Sequence, residues 1–496
     1  MMNRKFILGS LLLLGIVSAH AQFTPVTRNA NIATSENFPV NEGGIHGYVR
    51  ASAWGFGQDG GENGSENYDF ASTFAEAGIR ANYKKGFGEG YFIFAGEARL
   101  RYGQYLNGKM DNKTNIGTAI NTNDRYKTTL DLKDLYVGYR SHKWEVILGN
   151  QNVQWGRGLG SNPTNNISPS DMLFLSANPE DKKMYNFMLT TDFQFRKGLD
   201  LQVVAVPMVR SSYLPLQAFN LGGLNMLGQT IPEAKIKNGT IAARLNLNNG
   251  PMGASISYYN GCDPFPNLHA DWQDGDPSKG QVMAWTENCR KQTIGADFCV
   301  RISGEMRGGN FVPTNDWMIT GEFAYNFYKN PNNVGYIPQD NFAFTLGLLK
   351  IINMSNNVDE FTIGMSWYGK YTPNYKTLKF DLTNPVSYME DMNVSLGRFF
   401  NGQQAKLDHT LMLILSQSAL RKKLSFSLMC SYGLIKPTDI TGSFKDKNNA
   451  TIYPQANYNI SKNLSLSAGY MRMFGANAPY YGPIMGGCFV ELKAKI

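Results

Sequence analysis

The stretch Tyr185-Asn186-Phe187-Met188-Leu189-Thr190-Thr191-Asp192-Phe193-Gln194-Phe195-Arg196 decides the fold. Its odd positions, Tyr185, Phe187, Leu189, Thr191, Phe193 and Phe195, are apolar or aromatic apart from one threonine. Its even positions, Asn186, Thr190, Asp192, Gln194 and Arg196, are polar, and Met188 is the one interruption. Successive side chains of an extended chain point to opposite faces, so this is a strand with one apolar wall and one wet wall. The same alternation sets Leu199, Leu201, Val203 and Ala205 against Asp200 and Gln202, and Ile241, Ala243, Leu245 and Leu247 against Arg244 and Asn246. It returns at 361–367, 424–430 and 464–470.

A soluble β-sandwich alternates too, so the connections have to decide. Segments of this kind run from 45–56 to 487–496 and number about 18, within a range of about 16–18. Short links such as Ser141-His142, Lys197-Gly198 and Ser461-Lys462 alternate with long ones near 57–72, 104–126, 153–183, 209–237, 261–292, 370–406 and 475–486. That sorting predicts an all-β fold: a closed antiparallel transmembrane β-barrel with short periplasmic turns and long extracellular loops. Beyond the N-terminus no stretch approaches the ~18 apolar residues of a membrane helix, so any span must be made of strands. A mean hydropathy of −0.31 agrees. Aromatic residues at 12% and 51 glycines suit interfacial girdles and many turns.

The two ends fit the same reading. Arg4 and Lys5 precede an apolar run over 6–17 and the small-residue site Ser18-Ala19-His20-Ala21, which predicts a signal peptide over 1–21 cleaved after Ala21. Residues 22–44 are expected to form a periplasmic tail and 45–496 the barrel. The 23 residues from Gln22 to Gly44 are too few for the plug domain of a TonB-dependent transporter. At the other end Val490, Leu492, Ala494 and Ile496 alternate with Glu491, Lys493 and Lys495. The charged set must face water, since a lysine at mid-bilayer costs roughly 2–4 kcal/mol. This strand is similar to the C-terminal insertion signal of outer-membrane proteins, which implies the barrel-assembly machinery as a partner, although Ile496 replaces the commoner aromatic end.

Several function classes drop out. The formal charge is +8, and +6 once Arg4 and Lys5 are removed, with no basic cluster, so nucleic-acid binding is not expected. Of the five cysteines, Cys262 and Cys289 fall in one long loop, where an oxidising periplasm leaves a disulfide open; Cys299, Cys430 and Cys488 are isolated. No metal or cofactor spacing is present. Asp271, Asp274 and Asp276 are close enough for Ca²⁺, but Trp272 and Gln273 break the EF-hand pattern. The histidines after the signal, His46, His142, His269 and His409, are scattered, and Asp408-His409 lacks a nucleophile, so no enzyme is expected.

The polar parity predicts a lumen lined by Glu76, Arg80, Glu97, Arg99, Arg101, Asp192, Arg196, Arg244, Asp297, Arg301, Glu305 and Glu322. Such a wall either filters small charged solutes by focusing the field or braces neighbouring strands with ion pairs. The most specific motif is Leu148-Gly149-Asn150-Gln151-Asn152-Val153-Gln154-Trp155-Gly156-Arg157-Gly158, followed by Asn162-Pro163 and Pro169-Ser170-Asp171. It resembles the strand-to-loop signature of porin-superfamily and capsule-assembly-type barrels of Gram-negative, Bacteroidetes-like outer membranes, over about 25 residues. The resemblance implies that the 153–183 loop folds into the lumen as a constriction, with Trp155, Arg157 and Asp171 on it. The function expected is an outer-membrane channel for diffusion of small hydrophilic solutes, anionic ones included. The alternative is a non-conducting barrel that anchors surface polysaccharide or scaffolds the envelope. The partners implied are outer-membrane lipid, lipopolysaccharide and small solutes.

Overall fold

The computed structural model describes residues 41–496 apart from 56–71, 105–117, 124–125, 173–175, 177–178, 215–223, 231, 234, 303–304, 308–309, 313–316, 331–333, 355–357, 382, 436–447 and 476–485. The signal segment 1–21 and residues 22–40 of the tail lie outside the described residues. Eighteen strands form the wall. The first six are β1 (Asn41–Gly55), β2 (Ser72–Phe87), β3 (Gly90–Gln104), β4 (Tyr126–Arg140), β5 (Trp144–Gln151) and β6 (Asn186–Arg196). Next come β7 (Leu199–Val206), β8 (Thr240–Asn249), β9 (Met252–Cys262), β10 (Arg290–Arg301), β11 (Trp317–Tyr328) and β12 (Asn341–Asn353). The last are β13 (Glu360–Tyr371), β14 (Leu407–Ala419), β15 (Leu424–Gly433), β16 (Ala450–Asn459), β17 (Leu464–Phe474) and β18 (Gly487–Lys495).

Each strand pairs antiparallel with the next, and β18 returns to β1, where Arg50 faces Lys493 and Tyr48 faces Lys495. Gly47 and Ile496 exchange both backbone hydrogen bonds at the seam. Closure leaves the eighteen-strand wall without an open edge among the described residues, the condition for strands to survive in hydrocarbon. The side-chain alternation sorts cleanly across this wall. Outside, Ile79 (55% exposed), Phe195 (53%) and Val490 (52%) belong to a continuous apolar band. Inside, Glu76 (3%), Arg101 (1%) and Glu322 (0%) are buried. An apolar surface that encircles the molecule is stable only against lipid.

The short-turn rim is built from tight connections. Gly88 (φ 58°) turns β2 into β3. Between β14 and β15 the residues Leu420, Arg421 and Lys422 all take left-handed backbone angles (φ 56°, 58° and 61°). The Asp359 carboxylate holds that turn by accepting the backbone N–H of Arg421 (3.1 Å) and of Lys422 (2.7 Å). Glu305, expected on the lumen wall, lies beyond the end of β10 at Arg301. It sits in a small hairpin of Glu305–Arg307 with Asn310–Val312, off the barrel wall.

The long-loop rim carries structure of its own. A three-stranded sheet of Leu224–Thr230, Asn267–Trp272 and Val282–Glu287 is covered by helix α1 (Pro385–Asn401). Asn384 caps α1 by accepting the Ser387 N–H (3.1 Å), Pro385 opens it, and Gly402 ends it at φ 61°. These are the residue types that begin and end helices. Asn393 docks α1 on the sheet by accepting from Ala270 N (2.7 Å) and donating to Ala270 O (2.8 Å). Leu268, Ala270, Ala284 and Leu396 are fully buried between them. Cys262 and Cys289 are both buried free thiols.

Candidate functional site

From the end of β5 the chain turns into the lumen. The turn begins with side chains satisfying backbone: Gln151 Nε2 donates to Met188 O (3.0 Å), and Asn152 Nδ2 donates to Met184 O (2.6 Å). Ser168 braces the loop against itself, donating to Val153 O (2.9 Å) and accepting from Val153 N–H (3.0 Å). Val153, Trp155 and Ile167 then pack on inward-facing Met188, Val204, Val206, Ala242 and Tyr259. Met188, which breaks the polar face of β6 in sequence, is the wall's contact for this loop and is fully buried. Trp155 is 2% exposed, and its Nε1 donates to Gln202 Oε1 (2.7 Å).

The loop tip crosses to the far wall and is held there by one carboxylate. Glu322 on β11 accepts from Arg157 N–H (3.0 Å), Gly158 N–H (2.8 Å), Thr164 N–H (2.7 Å) and Thr164 Oγ1 (2.7 Å). Gly156 (φ 102°) makes that approach possible, because a Cβ there would lie 2.4 Å from Glu322 Oε2. Thr345 Oγ1 on β12 donates to Ser161 O (2.9 Å). The Arg157 guanidinium pairs with Asp297 on β10 and donates to Asn248 Oδ1 (3.1 Å). Asp297 also accepts from Arg244 (2.8 Å) and from Ser255.

A second anchor holds the returning limb. Asp181, in the one-turn helix Pro179–Lys182, takes Arg50 Nη1 (2.5 Å) and Nη2 (2.9 Å) on its two oxygens, with Arg99 Nη1 at 3.3 Å. Glu76 binds Arg50 (2.8 Å) and Arg99 (3.5 Å) as well, and adds Arg101 (2.7 Å). Asp131 pairs with Arg99 (2.6 Å) and Glu491 approaches Arg50 (3.5 Å). Burial alone would raise the Asp181 carboxyl, but Arg50, with Arg101 and Arg99, holds it well below the usual carboxylate range.

Beside the loop, towards the short-turn rim, lies a cavity of about 830 Å³. Nine basic residues line it: Arg50, Arg80, Lys84, Lys133, Arg140, Lys183, Arg244, Lys493 and Lys495. Against them stand six acidic ones: Glu97, Asp134, Glu145, Asp181, Asp192 and Asp200. Trp155 also reaches this wall. The excess of cations makes the cavity electropositive.

The residues expected on the lumen wall therefore separate into distinct roles. Arg80, Glu97, Asp192 and Arg244 line the cavity. Glu76, Arg99 and Arg101 are sealed in the Asp181 cluster. Asp297 and Glu322 hold the loop tip, while Arg196 is exposed near the short-turn rim and Arg301 ends β10. Asp171 lies on the loop, bridged to Tyr213, and its backbone N–H donates to Lys182 O (2.8 Å). The side chain of Glu305 lies outside the described residues. The aspartates of 271–276 do not gather: Asp274 pairs with Lys279 (2.5 Å) and Asp276 accepts from Ser278 N–H (2.9 Å). Among the described residues no group of three or more metal-ligating side chains occurs.

Sequence reasoning missed Arg50, Lys84, Asp131 and Asp181, while Glu491 and Lys493 were already expected to face water from the alternation of the last strand. Arg50, Lys84 and Asp131 share the inward parity of their strands, so the alternation marked them too. Asp181 lies in a loop, where no period exists to follow.

No family model matches the chain, and no curated protein matches it. Solved structures do. The crystal structure of Acinetobacter baumannii OccAB1 is 12% identical, with 94% of this chain and 99% of that chain covered at a TM-score of 0.50. Acinetobacter baumannii OccAB3 is 10% identical, covering 92% and 99% at 0.50. Pseudomonas aeruginosa OccD3 (OpdP) is 8% identical, covering 96% and 97% at 0.50. At such identities the likeness is one of fold: a closed 18-strand antiparallel barrel matching outer-membrane porin structures.

Proposed function

We propose that the chain spans the outer membrane as a porin-like channel, through which small hydrophilic solutes, anions preferred, diffuse past the inward loop. The long-loop rim then faces outward and the short-turn rim faces the periplasm. The observation that carries the reading is the electropositive cavity beside the loop, with Arg80, Lys84, Lys493 and Lys495 along one wall. A water-filled space lined by fixed charge inside a low-dielectric wall concentrates counter-ions at its mouth. The loop held by Glu322 and Asp181 narrows the lumen, so solute size is set there and charge preference in the cavity beside it. In this reading Arg99 and Arg101 position the loop, and the cations that meet solute are those left on the cavity wall.

Liposome swelling tests this reading. Vesicles carrying the refolded barrel should swell with small organic acids faster than with neutral sugars of the same size. Equal rates remove the charge preference, and no swelling removes the channel. The double clamp on the loop favours the second reading, a barrel that does not conduct and serves surface polysaccharide or envelope architecture. Swelling of any solute would exclude it. Contact with lipopolysaccharide, recognition of β18 by the assembly machinery and removal of residues 1–21 belong to the same proposal.

A further inference from the structure

Two cations stand side by side on the outer face at the long-loop end of β10 and β11. Arg290 opens β10, and Lys329, the residue after β11, donates its backbone N–H to Arg290 O (3.1 Å), continuing the ladder that pairs Lys291 with Tyr328. Both side chains follow the outward parity of their strands, the parity of exposed Ile294 and Phe327. Like charges directly opposite each other on one face of a ladder repel. A third cation joins them from the link before β8. Arg290 Nη1 donates to Lys237 O (2.8 Å), which holds the short turn Ile236–Asn238 against β10. The side chains of Lys237 and Lys329 are exposed.

No carboxylate neutralises the three. Arg290 Nη2 donates to Asn260 Oδ1 (3.1 Å), a neutral amide. Among the described residues Lys237, Arg290 and Lys329 form no ion pair. The acids nearby are otherwise engaged: Glu233 pairs with Lys235, and Asp340 accepts the Tyr328 N–H (2.8 Å). Below this cluster the outer wall is hollowed. A concavity of about 590 Å³ spans β7 to β12, walled by Leu245, Ile256, Tyr258, Ile294, Tyr325 and Phe342. Ile294 and Tyr325 lie four residues along their strands from Arg290 and Lys329, about 13 Å at the rise of a strand. Between them stands Phe327, its ring 4.5 Å from that of Tyr325. Cations, aromatic rings and an apolar hollow therefore follow one another down a single strip of the outer face.

We propose that this strip binds one phosphorylated glycolipid of the outer leaflet, with a phosphate between Arg290 and Lys329, Lys237 beside it, and acyl chains against the hollow. A phosphate has oxygens enough to accept from both side chains, and it turns their repulsion into charge-assisted contacts. The vertical order matches an amphiphile standing upright in a leaflet, headgroup at the rim and hydrocarbon below. A second copy of this chain fits less well, because a two-fold contact through the same patch would bring the cations against their own copies. The inference rests on the outward placement of the long-loop rim and the lipid-facing outer wall proposed above, and gives contact with lipopolysaccharide a place on that wall. It does not need the lumen to conduct.

The test uses the full refolded protein in detergent, with diphosphoryl lipid A as the probe and native mass spectrometry as the readout. One lipid should bind saturably and stay bound against an excess of phosphatidylglycerol. The double variant Arg290→Gln, Lys329→Gln should weaken that binding about tenfold or more. Removing the phosphates from the lipid should weaken binding to the parent equally. Arg472→Gln removes a lone outward cation that lies over the Phe474 ring (5.4 Å) at the same rim, and should leave binding unchanged. All variants should keep the heat-modifiable gel shift. Should the double variant not fold, Lys329→Gln alone alters a side chain that holds nothing in place and should show a loss in the same direction, while Arg290→Lys should retain binding. Equal binding by parent and charge-removed variants, an equal loss with Arg472→Gln, or displacement by phosphatidylglycerol would each overturn the proposal. A barrel that binds lipid A as expected but fails to swell vesicles would leave this site standing and remove only the channel.

Discussion

The carboxylate of Asp181 meets the guanidinium of Arg50 with both oxygens, Oδ2 at 2.5 Å from Nη1 and Oδ1 at 2.9 Å from Nη2. The residues are 131 apart in sequence, one on the inward loop and one on β1, and both are almost completely buried. Two-point pairing of this kind fixes direction as well as distance. With Glu322 gripping the loop tip from β11, the loop is tied at both sides of the lumen.

Asp181→Asn keeps the shape and removes the charge. Breaking one partner out of a buried pair costs roughly 3–5 kcal/mol, here concentrated on the returning limb of the loop. Single-channel conductance should rise, and the reversal potential in a salt gradient should shift further toward anion preference, since Arg50 and Arg99 lose a counter-charge. An unchanged conductance would show that the clamp does not set the opening.

Gly156→Ala tests the other anchor. The backbone there is left-handed at φ 102°, and the new methyl would meet the Glu322 carboxylate. Strain of this type costs on the order of 1–3 kcal/mol. Trypsin should then cut after Arg157 in the folded variant and leave the parent loop intact. Equal resistance of the two proteins would mean that the tip is not held as described.

The response to acid follows from the Asp181 carboxyl. Its native value is depressed, so the pairing contributes stability above the ordinary unfolded value of about 4 and loses it as the pH falls through the native value. The difference in conductance between the parent and Asp181→Asn should therefore stay constant from about pH 8 to about pH 5 and shrink only in stronger acid. A difference that vanishes between neutrality and about pH 5 would contradict the Asp181 clamp.

The left-handed turn at Leu420, Arg421 and Lys422 offers a stability test away from the lumen. Arg421 is held at φ 58° with its N–H on Asp359, and glycine adopts that angle without steric cost. Arg421→Gly relieves roughly 1–2 kcal/mol of left-handed strain against a chain-entropy cost of about 0.5–1 kcal/mol, so it should stabilise the barrel slightly in reversible urea unfolding. Asp359→Ala should act in the opposite direction, and a destabilising Arg421→Gly would mean that the arginine side chain contributes more than its backbone costs.

The wall of this protein is legible in its sequence because hydrocarbon on one side and charge on the other impose a period of two. The alternation predicts about eighteen strands, and Met188, the interruption in β6, marks where the loop packs. What the alternation conceals is which inward charges remain open. Arg99 and Arg101 look the same in sequence as Arg80, yet two of them are consumed by Glu76 and Asp181 while Arg80 lines the cavity. That difference depends on where a loop carboxylate from position 181 comes to rest, and loops have no period to betray it. The helix α1 was readable in principle: Asn384-Pro385 and Gly402 bracket it with start and stop residues, but polar flanks at 370–383 make the whole link resemble an ordinary long loop.

The most direct test is the current through a planar bilayer carrying the refolded, heat-modifiable protein. Stable ohmic steps whose reversal potential in a salt gradient has the sign of anion selectivity are predicted. A fully folded barrel that gives no steps, or steps with cation selectivity, would contradict the account.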